Sequence, residues 1–154
     1  LIGSVVGLLS NLILHSSSAA LLRNATFIAV GFFTISAYFY MNFIGIDMTL
    51  FYSIIIGCLS GISVGLITEY YTGGTPIKKL AKISESGAAT NIIYGLSIGM
   101  ESTVLPVVLL AFAVWISFEY GGGIFGVSLA AVSMLSTVGI TMTVDAYGPI
   151  ADNA

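Results

Sequence analysis

Long apolar runs alternate with short polar stretches along the chain. A helix needs about 20 apolar residues to cross a bilayer, and the first run is too short for a complete span. The pattern predicts an all-α polytopic membrane protein with about five transmembrane helices, the first of them partial. Its single, partial transmembrane domain covers residues 1–154, with spans near 1–14, 25–46, 49–68, 92–118 and 124–152.

Composition excludes a soluble domain, in which about 25% of residues would be charged. Here 57% of the residues are hydrophobic and 7% are charged, and the mean hydropathy is +1.06. The single cysteine, Cys58, excludes an internal disulfide framework and a cysteine zinc cluster. Leu1 lies inside an apolar run and no polar tail follows the acidic end, so we expect a piece from the middle of a larger protein.

The basic residues predict an orientation. Arg23 lies between the first and second spans, and Lys78, Lys79 and Lys82 lie between the third and fourth. Alternating spans place all four on one side, which the positive-inside rule makes cytoplasmic. Loops 15–24 and 70–91 and residues 145–154 are therefore predicted on the cytoplasmic side.

Two predicted helices carry small residues along one face. In the third span, Gly57, Gly61 and Gly65 recur every fourth residue, which predicts close helix packing. The fifth span has a small and polar face that ends in carboxylates. This second face is either a close-packed interface or the wall of an ion path, with Ser133, Thr137 and Thr141 as the path residues. Its members are Gly126, Ala130, Ser133, Thr137, Thr141, Asp145, Gly148 and Asp152.

The last ten residues hold the strongest candidate chemistry. Asp145 and Asp152 are separated by nearly two helical turns, or about 10 Å along a helix axis. Pro149 between them cannot donate a hydrogen bond to the carbonyl of residue 145, which is thereby freed. Carboxylates beside a free carbonyl suit a cation or a metal-bound phosphate.

Other polar residues near the membrane have simpler interpretations. Glu69 and the pair Tyr70-Tyr71 are expected to be interfacial anchors rather than ligands. Glu101 lies within the predicted fourth span, where an acid should face a partner or water. We assign it no role from the sequence.

Four ordered strings resemble the membrane-bound, ion-pumping inorganic pyrophosphatases. They cover most of residues 66–154, whereas residues 1–65 match that family only in hydropathy and number of spans. The strings are Thr68-Glu69-Tyr70-Tyr71-Thr72, Ser86-Gly87-Ala88-Ala89-Thr90-Asn91-Ile92-Ile93, Met134-Leu135-Ser136-Thr137 and Asp145-Ala146-Tyr147-Gly148-Pro149-Ile150-Ala151-Asp152-Asn153-Ala154.

The resemblance implies a homodimeric, multi-helix pump that hydrolyses magnesium pyrophosphate at a cytoplasmic site and moves H⁺ or Na⁺ across the lipid membrane. It implies Asp152 as a ligand of Mg²⁺ and substrate, and Asp145, less directly, as a substrate-binding residue. Mg²⁺ is the expected cofactor, with K⁺ or Na⁺ as an activator, and nucleic acid is not an expected partner. Residues 1–154 alone are predicted to be inactive, because several carboxylates are needed to hold metal and substrate. The alternatives are a secondary ion transporter without hydrolytic activity and a structural helix bundle.

Overall fold

A computed structural model describes residues 18–140 and the isolated positions 5, 9, 142 and 153, with the backbone alone at 18–22. The described residues form helices joined by turns, without a strand, which confirms the all-α prediction. The helices are α1 (Ser18–Ile44), α2 (Thr49–Gly73), α3 (Thr75–Ser84), α4 (Ala88–Tyr120) and α5 (Ile124–Met134), followed by a 3₁₀ turn at Leu135–Thr137.

Three stretches of the described chain are long and apolar enough to cross a membrane, namely Arg23–Ile44, Thr49–Ser84 and Ala88–Tyr120. A shorter apolar helix follows at Ile124–Ile140. Together they make the chain an integral, multi-pass membrane protein. Of the five predicted spans, the first and the end of the fifth lie outside the described residues.

The bounds of two helices differ from those of the apolar runs at one end of the bundle. We call it the charged end because Arg23 and Glu69 meet there. Helix α1 begins at Ser18 and includes Arg23 and Asn24, which the sequence had suggested were part of a loop. Helix α2 continues beyond residue 68 to Gly73. In these extensions Arg23 on α1 pairs with Glu69 on α2, so both charges have a partner. Hydropathy marks the lipid-embedded part of a helix, not its ends.

The turn from α1 to α2 is defined by local hydrogen bonds. Gly45 adopts a φ of 78°, which favours glycine, and ends α1. The Asp47 carboxylate then accepts hydrogen bonds from the Thr49 hydroxyl at 2.7 Å and the Thr49 amide at 2.9 Å. Because both bonds favour the charged form, they hold the pKa of Asp47 below its usual value.

Helix α2 lies at the centre of the described bundle. It contacts α1, α3, α4, α5 and the 3₁₀ turn. In its most apolar stretch 28% of the residues are buried, compared with 17% for α1 and 11% for α4. The other spanning helices therefore present most of their surface to lipid or to further helices.

Two small apolar clusters hold α1 in place. Val30 and Met41 pack against Ile54 and Cys58 of α2. Closer to the charged end, the fully buried Ala25 and Ala29 contact Ile140, beyond the 3₁₀ turn. Alanines allow this second contact because their short side chains let the helices approach.

The glycine face of α2 packs as predicted at two of its three positions. An added Cβ at Gly57 would lie 2.8 Å from the Cα of Ala130 on α5 and still closer to the carbonyl oxygen of that residue. At Gly61 the same atom would make an ordinary contact of 3.6 Å with Met134, and at Gly65 it would meet nothing within 4 Å. Close packing of α2 on α5 therefore depends on Gly57 in particular.

This difference predicts unequal effects of two identical substitutions. Gly57→Ala should destabilise the protein by about 1–3 kcal/mol, because the new methyl group forces the α2 and α5 backbones apart. Gly65→Ala, the matched control, should change stability by no more than about 0.5 kcal/mol. Thermal unfolding in detergent, followed by intrinsic fluorescence, measures both. Equal effects of the two substitutions would contradict the assignment of the contact to Gly57.

Candidate functional site

The carboxylates that head the candidate list, Asp145 and Asp152, lie outside the described residues, as does Thr141. The structure describes the helix that leads to them. Helix α5 starts at Ile124, next to the turn that ends α4, and runs towards the end of the bundle where Arg23 and Glu69 meet. The chain therefore travels from the end that carries Asp47 and Glu119 to the end that carries Arg23 and Glu69 before it reaches residue 141.

The small and polar face of α5 is a packing surface along its first half. Gly126, Ala130 and Ser133 are all buried. Ser133 is only 1% exposed, and its hydroxyl donates to the Leu129 carbonyl within the same helix at 2.7 Å. The Ser133 carbonyl accepts a weak hydrogen bond from the Cys58 thiol of α2 at 3.8 Å. This geometry supports the close-packed interpretation for these three residues.

The geometry changes at the string Met134-Leu135-Ser136-Thr137, one of the four that carried the family resemblance. Residues Leu135–Thr137 form a 3₁₀ turn inside the apolar run. Thr137 is half-buried there, and the turn packs on α1 as well as on α2. Tighter 3₁₀ stretches inside a helix are often found at functional hinges. Of the ion-path residues predicted within the described part, Ser133 precedes this turn and Thr137 lies in it.

Polar side chains link three helices at the charged end. The Arg23 guanidinium donates to the Glu69 carboxylate at 3.2 Å, which joins α1 to α2. The Tyr71 hydroxyl donates to the Glu101 carboxylate at 3.0 Å, which joins α2 to α4. We call Arg23, Glu69, Tyr71 and Glu101 the polar belt. It supplies the partner that an acid in the predicted fourth span requires, and sequence reasoning did not identify that partner.

The polar belt marks one boundary of the hydrocarbon region. From Glu101 to the end of α4 at Tyr120 there are about 20 residues, or roughly 30 Å of helix, which is the thickness of a bilayer core. Arg23–Ile44 of α1 has a similar length at 22 residues. Glu101 is therefore placed at the edge of the lipid rather than in its middle, which explains how a carboxylate is tolerated in so apolar a helix.

The first three turns of α4 project beyond the end of α2 and support α3. Leu80 of α3 packs over Gly95 of α4, where an added Cβ would lie 3.7 Å from the leucine methyl. Pro76 occupies the first turn of α3, where the backbone N–H of any residue would have no acceptor within the helix. The missing N–H of proline therefore costs no hydrogen bond there. Lys78, Lys79 and Lys82 are exposed on this short helix.

The opposite end of the bundle is closed by serines and glycines. Ser53 of α2 and Ser117 of α4 are fully buried, and the Ser53 hydroxyl lies 3.5 Å from the Gly121 carbonyl. An added Cβ at Gly121 would approach the Ser53 Cβ to 3.2 Å. The Ser117 hydroxyl has no hydrogen-bond partner among the residues that the structure describes. These contacts pack the end of α4 closely against α2, and none of them involves a charged group.

Within residues 18–140 no group of three or more histidine, cysteine, aspartate or glutamate side chains is arranged to hold a metal ion. Glu69 and Glu101 are engaged by Arg23 and Tyr71, and they belong to separate pairs. That Glu69 and the pair Tyr70-Tyr71 are interfacial anchors remains a prediction. The described residues thus provide a rigid support at one membrane boundary.

The Tyr71–Glu101 hydrogen bond should be measurable as a coupling free energy. We expect a double-mutant cycle of Tyr71→Phe and Glu101→Gln, read by thermal unfolding in detergent, to be non-additive. The double variant should lose less stability than the sum of the two single losses, because each single variant already removes the hydrogen bond. In the control cycle, Tyr70→Phe with Glu101→Gln, the two effects should add to within about 0.3–0.5 kcal/mol. The same coupling in both cycles would show that the bond contributes nothing specific.

Comparison with known proteins identifies the family. The family model described as inorganic H⁺ pyrophosphatase matches residues 2–154. Among curated relatives, a putative K(+)-stimulated pyrophosphate-energized sodium pump of Clostridium tetani is 44% identical over 142 residues, which are 86% of this chain and 21% of the relative. A K(+)-insensitive pyrophosphate-energized proton pump of Methanosarcina mazei is 41% identical over 129 residues, which are 78% of this chain and 19% of the relative.

A third relative, pyrophosphate-energized proton pump 2 of Rhizobium leguminosarum bv. trifolii, is 36% identical over 139 residues, which are 89% of this chain and 63% of the relative. The chain thus spans about a fifth of the first two relatives. The family model extends through the apolar first third, where the resemblance had rested on hydropathy alone. The chain belongs to the inorganic H⁺ pyrophosphatase family.

Proposed function

We propose that the chain forms part of a membrane pump in which hydrolysis of pyrophosphate drives the movement of H⁺ or Na⁺. The observation that carries this proposal is the family match over residues 2–154. Relatives named as sodium pumps and as proton pumps match at 44% and 41% identity, so the proposal covers both cations. The same names, K(+)-stimulated and K(+)-insensitive, support K⁺ as an activator in some members.

The catalytic site is proposed at the charged end of the bundle, on the cytoplasmic side. Asp152 is assigned to a magnesium ion that carries the substrate, and Asp145 to substrate binding nearby. Mg²⁺ suits the site because it is usually held by one or two carboxylates together with substrate phosphates. The direction of α5, towards the end of the bundle that carries Arg23 and Glu69, supports placing both acids there. Further carboxylates would have to come from other segments of the complete pump.

The chemistry required of such a site is mainly electrostatic. Pyrophosphate hydrolysis needs the negative charge of the phosphates neutralised and a water molecule aligned with the leaving group. Bound Mg²⁺ would supply the charge, and Asp152 would hold the metal in position. Thr137 and Thr141 are proposed to continue the polar face towards an ion path. Ser133 is proposed as the end of that path, because its side chain is enclosed by the packing of α5 on α2.

Two identical copies are proposed to form the working pump. The apolar side chains on α4 support this, since many of them are exposed along its length, including Val104 and Val107 at 56% and 62%. Lipid covers such surfaces in part, and partner helices cover the rest. Residues 1–154 alone are still expected to release no phosphate from magnesium pyrophosphate.

The magnesium assignment predicts a loss of activity on a single charge change. In a full-length pump carrying this sequence, Asp152→Asn should lower the rate of phosphate release at least about 100-fold, since even residues that only orient a metal ligand contribute 10–100-fold. Asp145→Asn should be milder. Asp47→Asn is the matched control, because it removes an exposed carboxylate at the opposite end of the bundle and should leave turnover near normal. Near-normal turnover in Asp152→Asn would remove this residue from the site.

The proposed orientation is open to a labelling test. In a Cys58→Ala background, cysteines replace either Lys79 on α3 or Glu119 near the end of α4, both exposed positions at opposite ends of the bundle. A membrane-impermeant maleimide added to sealed cells should label the Glu119 position and reach the Lys79 position only after the membrane is opened. The reverse pattern would place the lysines, and with them the proposed site, outside the cell.

A further inference from the structure

Helix α3 has two opposite faces that differ in character. Lys78, Lys79 and Lys82 fall within an arc of about 100° on a helix of 3.6 residues per turn. The half-buried Leu80 lies on the other side and the half-buried Ile83 at the edge of the lysine arc, and α3 contacts α2 and α4. The short helix is therefore fixed by its apolar side, and its three positive charges point away from the bundle.

The three lysines lack carboxylate partners within the described part of the chain. The ion pair formed there joins Arg23 to Glu69, on other helices. Glu85, the acid closest in sequence, caps the end of α3 and makes no ion pair with them. Three like charges within five residues repel one another, so this arrangement favours an external anion.

The position of α3 relative to the membrane suits that anion. Gly95, on which Leu80 rests, is six residues from Glu101 in the polar belt, or about 9 Å along α4. The headgroup region extends roughly 5–8 Å beyond the hydrocarbon core, and lysine side chains can reach it with their flexible stems.

We propose that Lys78, Lys79 and Lys82 form a binding surface for anionic phospholipid headgroups. The surface is convex and fully exposed, and its charges do not converge on a pocket. A small dissolved polyanion such as pyrophosphate would be held there only by screened contacts. Headgroups, in contrast, are concentrated at the membrane surface beside α3. The lipid then anchors α3 against the projecting turns of α4, and this role is independent of the proposed hydrolysis.

The test measures lipid preference next to α3. A fluorophore is attached at Ala81→Cys, an exposed position on the same helix, in a Cys58→Ala full-length pump carrying this sequence. The protein is reconstituted in phosphatidylcholine vesicles that contain a few mole per cent of phosphatidylglycerol or phosphatidylcholine spin-labelled near the headgroup. Quenching of the fluorophore by the spin label should show that phosphatidylglycerol associates at least tenfold more strongly than phosphatidylcholine. Each lysine near an anionic surface raises the association constant about fivefold.

Three variants separate the explanations. The triple variant Lys78→Gln, Lys79→Gln and Lys82→Gln should lose the preference for phosphatidylglycerol, whereas replacement of the same lysines by arginine should retain it. Glu85→Gln, the matched control, should leave it unchanged or raise it. An equal preference in the wild type and the glutamine variant would overturn the proposal. So would loss of the preference on adding millimolar pyrophosphate at constant ionic strength, which would identify the surface as a collector of soluble polyanions.

Discussion

The bundle depends on one close approach between two backbones. At Gly57, helix α2 comes so near to Ala130 of α5 that no side chain fits between them. In a membrane, apolar side chains gain nothing by leaving lipid for each other, so helices associate through close contact and hydrogen bonds. The Cys58 to Ser133 hydrogen bond lies beside this contact and needs the same short distance. Helix α2 can be central because one of its faces is nearly free of side chains.

Polar groups lie at the two ends of the bundle, because the hydrocarbon region between them contains no water to solvate such groups. At the charged end, Arg23 and Tyr71 neutralise or bind the two glutamates that border the lipid. At the other end, serine hydroxyls and glycine carbonyls are buried without any charge. Between them the described helices expose mainly apolar side chains, as the bilayer requires. One end therefore joins its helices through charged side chains, and the other joins them through buried serines and glycines.

Hydropathy predicted the spanning helices well because a bilayer imposes both their length and their composition. The sequence did not reveal that α1 includes Arg23 and Asn24, because the ion pair of Arg23 with Glu69 joins residues far apart in the chain. It did not reveal the Tyr71 partner of Glu101 for the same reason. The sequence identified the two acids of the candidate site and the family that they resemble. The structure describes the packed helix α5 that precedes these acids in the chain.

The 3₁₀ turn at Leu135–Thr137 changes the azimuth of residues 138–140. Each 3₁₀ residue advances the helix by about 120° instead of 100°, so three of them rotate these residues by about 60°. Ile140 illustrates this rotation. Straight α-helical counting aligns it with Ser133 to within about 20°, yet it packs on Ala25 and Ala29 of α1 while Ser133 faces α2. A helical wheel drawn from Gly126 without this correction assigns residues 138–140 to the wrong azimuth, so the turn acts as a rotational offset between these residues and the packing half of the helix.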